Sequence, residues 1–469
     1  MVEKTFTDSG RGLNLPEIKC QLCVVGGGSA GIGAALAASR LGVDTVLVEK
    51  EAMLGGTSTV AGVNCWEPVA GATGIPFEIF SKLQEIPNAV GIYSMGRHCC
   101  HPNHNTPPFP GGEFLVDPSK TYSDTLLRSG TKGLVEDADR CRRQWHGVVF
   151  EPEALDKVAR ELLASSGNCR ILLNSTFSEV RKKSSGEIES IVLADGKIIK
   201  ADLWIDSCGA LAKAAGAELL SGEDPKTLFN ESDAPEKPIG RWNGVTLIFR
   251  ITHSAHAAIE ALPGDLSAAC WWSERYPAMS CVEYPDGDRN CNMLPTMSGL
   301  EYLELGETAA YAECTRRVKA YWHHLQTAYP EFRRYRIKSL APRIGVRETF
   351  RVCCEYMLNE NDLRQGISKQ SHQDIVALSD HMLDSHGAAG RKCGELHEPY
   401  GIPYRCLIPK GFSNLLVAGR IAGFSSIAAS SCRLSRTMMQ LGQAAGTAAM
   451  LALNKSCNFR NIDYVKFTG

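Results

Sequence analysis

A glycine-rich turn between two apolar segments constrains the fold of this sequence more than any other feature. Residues 20–25 form a short, almost wholly apolar run that stops at the sequence GGGSAG. An alanine-rich segment with helical character follows over residues 29–41 and ends at Gly42, and a second apolar run covers residues 45–48. A continuous apolar run is typical of a parallel strand that is covered on both faces. The pattern therefore predicts a strand–helix–strand unit of about 30 residues.

Gly26, Gly28 and Gly31 give this turn the spacing G-x-G-x-x-G. The first glycine allows a tight turn, the second lets the backbone approach a pyrophosphate, and the third lets the helix pack closely on the strand. The N–H groups and positive dipole end at the start of the helix favour phosphate. Glu49 ends the second strand, where its carboxylate can accept hydrogen bonds from both ribose hydroxyls. Because all these parts agree, the sequence predicts dinucleotide binding rather than a purely structural turn.

Three further segments favour FAD over NAD. The GGTST segment, residues 55–59, resembles the path that flavoproteins of this fold take along the pyrophosphate and ribityl chain. Residues 206–209 (DSCG) resemble the turn that closes over the adenosine, and Gly419-Arg420 with a helix from Ser426 resembles the element that faces the flavin pyrimidine. A helix N-terminus there would stabilise the anion of reduced flavin. The predicted cofactor-binding residues are Gly26, Gly28, Ser29, Ala30, Gly31, Glu49, Lys50, Gly55, Gly56, Thr57, Ser58, Thr59, Phe177, Cys208, Gly209, Gly419, Arg420, Ser426 and Ile427.

Composition excludes several other classes of protein. The 469 residues exceed what one hydrophobic core accommodates, which predicts two or three domains. The 50 basic and 52 acidic residues provide no positive field for nucleic acid. No run of about 18 apolar residues predicts a transmembrane helix, and the N-terminus lacks the apolar core of a secretory signal. We therefore expect a soluble, cytoplasmic protein in which nearly all of the 18 cysteines are unpaired thiols.

Strand-to-helix junctions recur at positions 26, 207 and 419, so we expect a discontinuous cofactor domain. The predicted fold class is α/β, with a Rossmann-like FAD-binding domain of the glutathione-reductase type and an inserted α+β substrate-binding domain. Strand-like pieces at 170–173, 178–182, 188–193 and 197–205 suggest a meander, and a long polar helix is predicted over residues 307–329. The predicted boundaries are 1–75, 151–220 and 401–469 for the FAD-binding domain, 76–150 for an insertion and 221–400 for the substrate-binding domain.

Four stretches of this sequence resemble one known group of flavoproteins. They are the glycine motif through GGTST, the segment ALAPRIGVRET, the segment IPYRCLIP, and NLLVAGR with the SSIAASSCRLSRTMMQLGQAAG helix. The sequence resembles bacterial FAD-dependent oxidoreductases that are distantly related to fumarate reductase flavoproteins. The resemblance implies the fold and the cofactor more than the reaction. The histidine that carries covalent flavin in succinate dehydrogenase-like proteins has no counterpart near GGTST, so non-covalent FAD is expected.

A flavin enzyme of this kind needs a cation that binds or polarises its substrate. Arg347 in PRIGVRE and Arg405 in IPYR are the predicted catalytic cations, with Arg343 and Arg433 as further candidates. Arginines in this half of the chain suit an anionic substrate such as a carboxylate. Each could instead pair with a protein carboxylate or bind a cofactor phosphate, because arginine serves both purposes readily.

Such an enzyme also needs a group that moves a proton. We predict that His386 in LDSHGAAG does so, with Tyr404 and Tyr400 behind it, because histidine titrates near neutral pH. The alternative is a histidine with a structural role only.

Two cysteine-containing motifs could be read as a metal site or a redox site. The run from His98 to His104 contains three histidines and two adjacent cysteines, but adjacent cysteines reach one ion poorly. Cys20 and Cys23 lie in a predicted strand, where residues three apart point to opposite faces. No metal site and no redox disulfide is predicted.

The predicted activity is hydride transfer between a small polar, possibly anionic, metabolite and flavin N5. Because no second G-x-G-x-x-G follows a strand, an external electron donor or acceptor is expected. No nucleic acid and no membrane is expected as a partner. A flavin monooxygenase and a non-catalytic flavin-binding redox sensor are the alternatives.

Overall fold

A computed structural model describes residues 17–67, 69–93, 99–101, 147–267, 278–385, 394 and 396–463. Its main sheet has the strand order β7-β2-β1-β10-β9-β8, with β19 also paired to β10. Strands β7, β2, β1, β10 and β19 pair in parallel, whereas β8 and β9 are antiparallel. These strands are β1 (Glu17–Val25), β2 (Thr45–Val48), β7 (Cys169–Leu172), β8 (Phe177–Lys182), β9 (Ile188–Leu193), β10 (Ile198–Asp206) and β19 (Leu415–Val417).

Two helices of small residues cover this sheet, α1 (Ser29–Arg40) and α9 (Ser435–Lys455). A Cβ on Gly442 would lie 1.9 Å from the carbonyl oxygen of Ala30, and one on Gly33 would lie 2.1 Å from that of Met439. The two backbones therefore approach as closely as glycine permits. This packing joins residues more than 400 positions apart and fixes the C-terminal part of the chain beside the glycine-rich turn.

A second, antiparallel sheet has the order β15-β12-β14-β13-β5 and lies against the long helix α6 (Gly299–Ala328). One face of it contributes apolar side chains such as Phe249, Cys291 and Met293 to a core shared with Val318 and Trp322 of α6. Its strands are β5 (Cys99–His101), β12 (Phe249–His253), β13 (Ala278–Glu283), β14 (Arg289–Leu294) and β15 (Tyr335–Leu340).

Shorter elements connect and cover the two sheets. Strands β3 (Cys65–Trp66), β4 (Val90–Tyr93) and β6 (Gly147–Phe150) form a three-stranded sheet, while β11 (Leu219–Leu220) pairs with β16 (Arg351–Val352) and β17 (Ile375–Ser379) with β18 (Tyr400–Pro403). The remaining helices are α2 (Ile75–Gln84), α3 (Pro152–Ser165), α4 (Ala210–Ala214), α5 (Lys226–Phe229), α7 (Glu360–Gln365) and α8 (Ser426–Ser431). Within the described ranges, no helix combines the length and apolar character that a membrane crossing requires.

The predicted mixed α/β fold with a parallel sheet is confirmed, but three element predictions need correction. The first piece of the predicted meander is β7, which pairs in parallel with β2 because α3 carries the chain across the sheet before it. The long helix begins at Gly299 and is kinked at Gly306, where φ is +72°. The predicted helix from Ser426 is two helices, α8 and α9, which Arg433 and its neighbours separate.

Candidate functional site

The turn between β1 and α1 has the geometry that its glycines predict. Gly26 has a φ of +101°, a conformation that L side chains rarely adopt. A Cβ on Gly31 would lie 1.8 Å from the carbonyl oxygen of Gly26, so the helix packs directly on the turn. A Cβ on Gly28, in contrast, would meet no atom within 4 Å, because this residue opens onto a cavity. The first N–H groups of α1 have no partner within the helix, and they can bind an anion there.

Glu49 follows β2 and is held in place by the backbone. Its Oε2 accepts a hydrogen bond from the N–H of Gly27 at 2.5 Å, and its Oε1 accepts one from the N–H of Glu51 at 2.9 Å. The residue is only 6% exposed and lines the same cavity as Gly28. A carboxylate oxygen can accept more than one hydrogen bond, so this group retains capacity for a ligand hydroxyl.

The cavity has a volume of about 300 Å³ and lies at the carboxyl ends of the parallel strands β1, β2, β10 and β19. Ligands of open parallel sheets bind at this edge. Arg343 lies at its border, where it contacts the carboxylates of Glu51 at 2.8 Å and Glu307 at 2.6 Å. The predicted cofactor residues that line this larger cavity are Gly26, Gly28, Ser29, Ala30, Glu49, Lys50, Gly56, Thr57, Cys208, Gly419 and Arg420.

The other predicted cofactor residues line neither this cavity nor the smaller one beside it. Ser58 Oγ donates to Ser435 Oγ at 2.9 Å, and Thr59 Oγ1 donates to the carbonyl oxygen of Leu54 at 2.7 Å. The N–H of Ser426 donates to Asp224 Oδ2 at 2.7 Å, which fixes α8 in the interior. The residues in this group are Gly31, Gly55, Ser58, Thr59, Phe177, Gly209, Ser426 and Ile427, of which Phe177 lies on the edge strand β8. Their contact with a cofactor stays a prediction.

A smaller cavity of about 110 Å³ adjoins the larger one. Thr57, Val346, Arg420, Arg433 and Ser435 line both, so the two cavities share a wall at the N-terminus of α9. The helix end that lines both cavities is therefore Ser435 of α9, while Ser426 lines neither. The smaller cavity is further lined by Val63, Cys65, Trp66, Glu67, Thr246, Ile248, Asn292, Leu294, Gly345, Arg347, Asp384, Leu434 and Arg436.

Three arginines converge where the cavities meet. Arg347 Nη1 donates to the carbonyl oxygen of Gly244 at 2.8 Å and to Thr246 Oγ1 at 2.6 Å. Arg420 donates to the carbonyl oxygen of Val346, and Arg433 donates to the Asp384 carboxylate.

Burial, together with the neighbouring charge of Arg433, lowers the pKa of both Arg347 and Arg420 to about 10. The folded chain thus disfavours their positive charge, although both stay protonated at neutral pH. Because a bound anion would offset that cost, the region is suited to a negatively charged group.

Glu67 and His381 form a pair on another wall of the smaller cavity. His381 Nε2 lies 3.4 Å from Glu67 Oε2, and the histidine is 4% exposed. Its Nδ1 is buried without a hydrogen-bond partner in the described part of the chain. A carboxylate that lines a cavity and is backed by an imidazole can take up or release a proton there.

The predicted catalytic residues are not all brought together. Arg347 lines the smaller cavity, whereas Arg405 contacts the Asp374 carboxylate at 2.9 Å and Tyr404 donates to the carbonyl oxygen of Phe459 at 3.1 Å. Neither Arg405 nor Tyr404 lines either cavity. His386 lies outside the described residues.

Several residues that line the cavities are not predicted by the sequence, and Glu67 and Asn292 are two of them. Asn292 lies on β14, whose sequence RNCNML alternates polar and apolar side chains. The apolar positions join the core against α6, so the asparagines face the opposite side, toward the cavities. That alternation was visible in the sequence, but only the fold shows that the polar face is covered by another part of the chain.

Of the two cysteine motifs, only Cys20 and Cys23 have side chains among the described residues. Cys20 and Cys23 are separate free thiols, and burial raises the pKa of Cys20 to about 12. Among the described residues, no group of three or more His, Cys, Asp or Glu side chains is arranged to hold a metal ion. The run from His98 to His104 lies outside the described residues except for the backbone of β5.

Comparison with known proteins gives a family and distant structural neighbours. The model of a family described as FAD dependent oxidoreductase matches residues 21–469. No curated protein matches the sequence. A geranylgeranyl bacteriochlorophyll reductase-like protein from Thermoplasma acidophilum is similar at 13% identity over 96% of this chain and 83% of its own, with a TM-score of 0.48.

Two further solved structures align at similar levels. A flavoprotein/dehydrogenase from Cytophaga hutchinsonii has 12% identity over 96% of this chain and 81% of its own, with a TM-score of 0.44. The p-nitrophenol 4-monooxygenase PnpA from Pseudomonas putida has 14% identity over 94% and 81%, with a TM-score of 0.43.

Proposed function

The chain belongs to the FAD dependent oxidoreductase family, and on that premise we propose that the larger cavity holds FAD and the smaller cavity holds a small anionic metabolite. FAD is the cofactor of this enzyme family. One observation carries the proposal: the two cavities share a wall that includes Arg420 and Arg433, and Arg347 lines the smaller cavity beside it. A redox cofactor and its substrate need such contact, because hydride transfer takes place only at close range.

The residues of the larger cavity suit the parts of FAD in order. Glu49 would bind the ribose hydroxyls, and Gly28 with the first turn of α1 would bind the pyrophosphate. The flavin end would lie toward Thr57, Arg420 and the N-terminus of α9, where the cavities meet. No histidine lines either cavity in the described part of the chain, which argues against attachment of the flavin through histidine.

The same proposal assigns the chain to domains. The strands that carry the larger cavity come from residues 1–75, 151–220 and 401–469, in keeping with a discontinuous Rossmann-like FAD-binding domain. The second sheet apart from β5, together with α6, belongs to the proposed substrate-binding domain of residues 221–400, and residues 76–150, which include β5, to the insertion.

Arg347 is the group proposed to bind the anionic part of the substrate. Its Nη1 is engaged with Gly244 and Thr246, which holds the guanidinium against the cavity wall. When bound, FAD would supply the hydride acceptor or donor of the reaction, at flavin N5. In an oxidation, the substrate carbon would lose its hydrogen with the electron pair, and a substrate O–H or N–H would release the accompanying proton.

Glu67, with His381 behind it, is proposed to accept that proton in place of the predicted His386. The electrons would then pass to an external acceptor, or come from an external donor if the enzyme works as a reductase. This electron partner and the small-molecule substrate are the partners we propose, with no role for nucleic acid or membrane.

An anaerobic metabolite screen tests the proposal. The purified yellow holoenzyme is mixed with small metabolites of each charge while flavin absorbance is followed, and we expect bleaching by an anionic compound. Bleaching by neutral or cationic compounds alone would contradict the role of the arginines. Admission of oxygen then distinguishes a monooxygenase, which would form a hydroxylated product, from a dehydrogenase.

Acid precipitation tests the attachment of the cofactor. The yellow colour should stay in the supernatant as FAD, because no covalent bond holds it. Colour retained in the pellet, or FMN in the supernatant, would contradict this part of the proposal.

A further inference from the structure

One stretch of α6, residues 302–309, lies at the border of the larger cavity, and we call it the strap. Tyr302 and Glu307 of the strap line the cavity beside Lys50 and Glu51. Lys50 and Glu307 are exposed, so the cavity reaches the protein surface at this border. The strap therefore lies where a ligand of the larger cavity could enter or leave.

The strap is fixed at its two ends and loosely packed between them. Before it, Glu301 pairs with the buried Arg317, and after it Ala310 is wholly buried in the core of the second sheet. Residues 303–309 are exposed, and they include two leucines that are 41% and 42% exposed. Because exposed leucines contribute little burial energy, a local opening of the strap should cost little free energy.

Gly306 interrupts the helix within the strap. Its φ of +72° and ψ of +164° define a conformation that is essentially confined to glycine. A Cβ there would meet no atom within 4 Å, so the backbone conformation requires the glycine and the available space does not. A residue of this kind at the end of a regular element can absorb a change in the direction of the backbone.

A chain of ion pairs ties the strap to the part of the molecule that is proposed to bind FAD. Arg343 Nη1 lies 2.6 Å from Glu307 Oε1 in the strap, and Arg343 Nη2 lies 2.8 Å from Glu51 Oε1. The N–H of Glu51 donates in turn to Oε1 of Glu49, the carboxylate proposed to bind the ribose. The side chains of Arg343 and Glu307 are 39% and 49% exposed, so solvent keeps their pair weak. The chain of ion pairs can thus hold the strap in place and still release it.

We propose that the strap closes over the adenosine end of FAD, and that the pairs of Arg343 with Glu307 and Glu51 hold it closed and so slow the entry and release of the cofactor. This inference rests on the proposed function, because it takes the larger cavity as the FAD site. A strap that opens at a small cost in free energy lets a non-covalent cofactor bind, and the ion pairs then lengthen the time for which it stays bound.

The kinetics of FAD exchange in Glu307→Gln test this role. Mixing the holoenzyme with an excess of a protein that traps free FAD gives the dissociation rate, and mixing the apoprotein with FAD gives the association rate. The substitution removes the ion pair of the strap and leaves Arg343 paired with Glu51. Both rates should rise about two- to fivefold, the factor that corresponds to one partly exposed ion pair, while FAD affinity changes little.

Gly306→Ala tests the strap without changing a charge. Alanine disfavours the backbone conformation at this position, so the closed strap becomes less populated and both exchange rates should rise. Asp265→Asn is the matched control for Glu307→Gln. It also changes an acid to an amide, at an exposed ion pair of 2.6 Å with Arg316 of the same helix, and neither Asp265 nor Arg316 lines a cavity. Its exchange rates should equal those of wild type.

The possible failures are distinguishable. Wild-type exchange rates in both strap variants, or an equal rise in Asp265→Asn, would overturn the inference. Faster dissociation at an unchanged association rate would also overturn it, because the segment would then be a direct contact of the cofactor and not a barrier. Unchanged FAD affinity in Glu49→Ala would instead show that FAD binds elsewhere, and the inference would then fall together with the proposed function.

Discussion

The two cavities lie side by side, yet the chain builds them in different ways. The larger one is made mainly by backbone and small side chains at the ends of parallel strands, with Gly26, Gly28 and Glu49 close together in sequence. The smaller one is made by long side chains from distant segments, such as Glu67, Asn292, Arg347 and Arg433. A site of the first kind constrains local sequence, whereas a site of the second kind constrains only the folded arrangement.

Because of this difference, the two cavities should tolerate different substitutions. A glycine in the left-handed conformation cannot be replaced by another residue without changing the path of the chain, and the backbone N–H groups beside it then move as well. A guanidinium or amide on a packed scaffold can be exchanged while the scaffold stays folded. Substitutions in the larger cavity should therefore change folding and cofactor affinity, and those in the smaller cavity should change reactivity.

The largest effect is expected for Gly31→Ala. The new Cβ would lie 1.8 Å from the carbonyl oxygen of Gly26, so the turn or α1 must move. Overpacking of this kind costs about 1–3 kcal/mol or more, and here it also displaces the N–H groups that face the cavity. The purified variant should contain little FAD and should melt several degrees below wild type, as absorbance and thermal unfolding will show.

Gly28→Ala is the matched control for that substitution. A Cβ at this position meets no protein atom within 4 Å, so the apoprotein should unfold within about 1 kcal/mol of wild type. FAD affinity should still fall, because the methyl group projects toward the larger cavity. If both variants unfold alike, the close contact of α1 with the turn is not what limits stability.

Glu49→Ala should have the next largest effect, mainly on the cofactor, with some loss of stability because the carboxylate also accepts hydrogen bonds from the N–H groups of Gly27 and Glu51. Loss of two charge-assisted hydrogen bonds to the ribose, partly replaced by water, should weaken FAD binding by about 2–4 kcal/mol. Titration of the apoprotein with FAD measures the loss of affinity. The FAD affinity of Glu49→Gln, which keeps one acceptor oxygen, should lie between those of the wild type and the alanine variant. Unchanged FAD affinity in the alanine variant would mean that the ribose is bound elsewhere.

The contrast also explains how much of this site the sequence could predict. The turn at Gly26, the acid at Glu49 and the junctions at Cys208 and Gly419 were found because each follows a strand directly and lies at the same edge of the sheet. The break between α8 and α9 was missed because both segments consist of small residues with similar helical character. It moves the helix end at the cavity from Ser426 to Ser435.

The smaller cavity could be predicted only in part. Arg347 was found through a family motif, but Glu67 and Asn292 belong to no motif, and nothing local distinguishes Asn292 from Asn290. In the fold, Asn290 donates to the carbonyl oxygen of Gly62 and to Tyr284 Oη, whereas Asn292 lines the smaller cavity. Partners so remote in sequence become evident only once the chain is folded.

Arg347→Ala tests whether the smaller cavity acts on reactivity. The variant should keep its FAD and its melting temperature, because burial already disfavours this charge, as the lowered pKa of about 10 indicates. It should slow flavin reduction by an anionic substrate by about 10²-fold, the usual loss for one charge-stabilising group. Stopped-flow kinetics measure the rate of flavin reduction, and absorbance of the same preparation measures its FAD content. Arg347→Lys should recover part of the reduction rate. A variant that loses FAD or melts early would make Arg347 structural.

Arg405→Ala should have the smallest effect, and on stability alone. Arg405 donates to both oxygens of Asp374, at 2.9 and 3.1 Å, and the Asp374 side chain is 2% exposed. Burial alone would raise the pKa of Asp374, but the hydrogen bonds from Arg405 lower it below its usual value. Removal of the arginine leaves a buried carboxylate. Because the arginine side chain itself is 43% exposed, solvent should limit the loss to about 1–2 kcal/mol.

The loss of stability in Arg405→Ala should depend on pH, and the pKa of Asp374 determines in which direction. A carboxyl group whose pKa is lower in the folded state stabilises the fold above its unfolded pKa of about 3.9, and this contribution is lost as the pH falls through the folded value. The stability difference between wild type and Arg405→Ala should therefore be constant at neutral pH and shrink below about pH 4. Urea unfolding at several pH values measures it, beside a flavin reduction rate that we expect to be unchanged. A rate about 10²-fold slower at unaltered stability would instead return Arg405 to the substrate site, because its partners Asp374, His372 and Tyr356 line neither cavity.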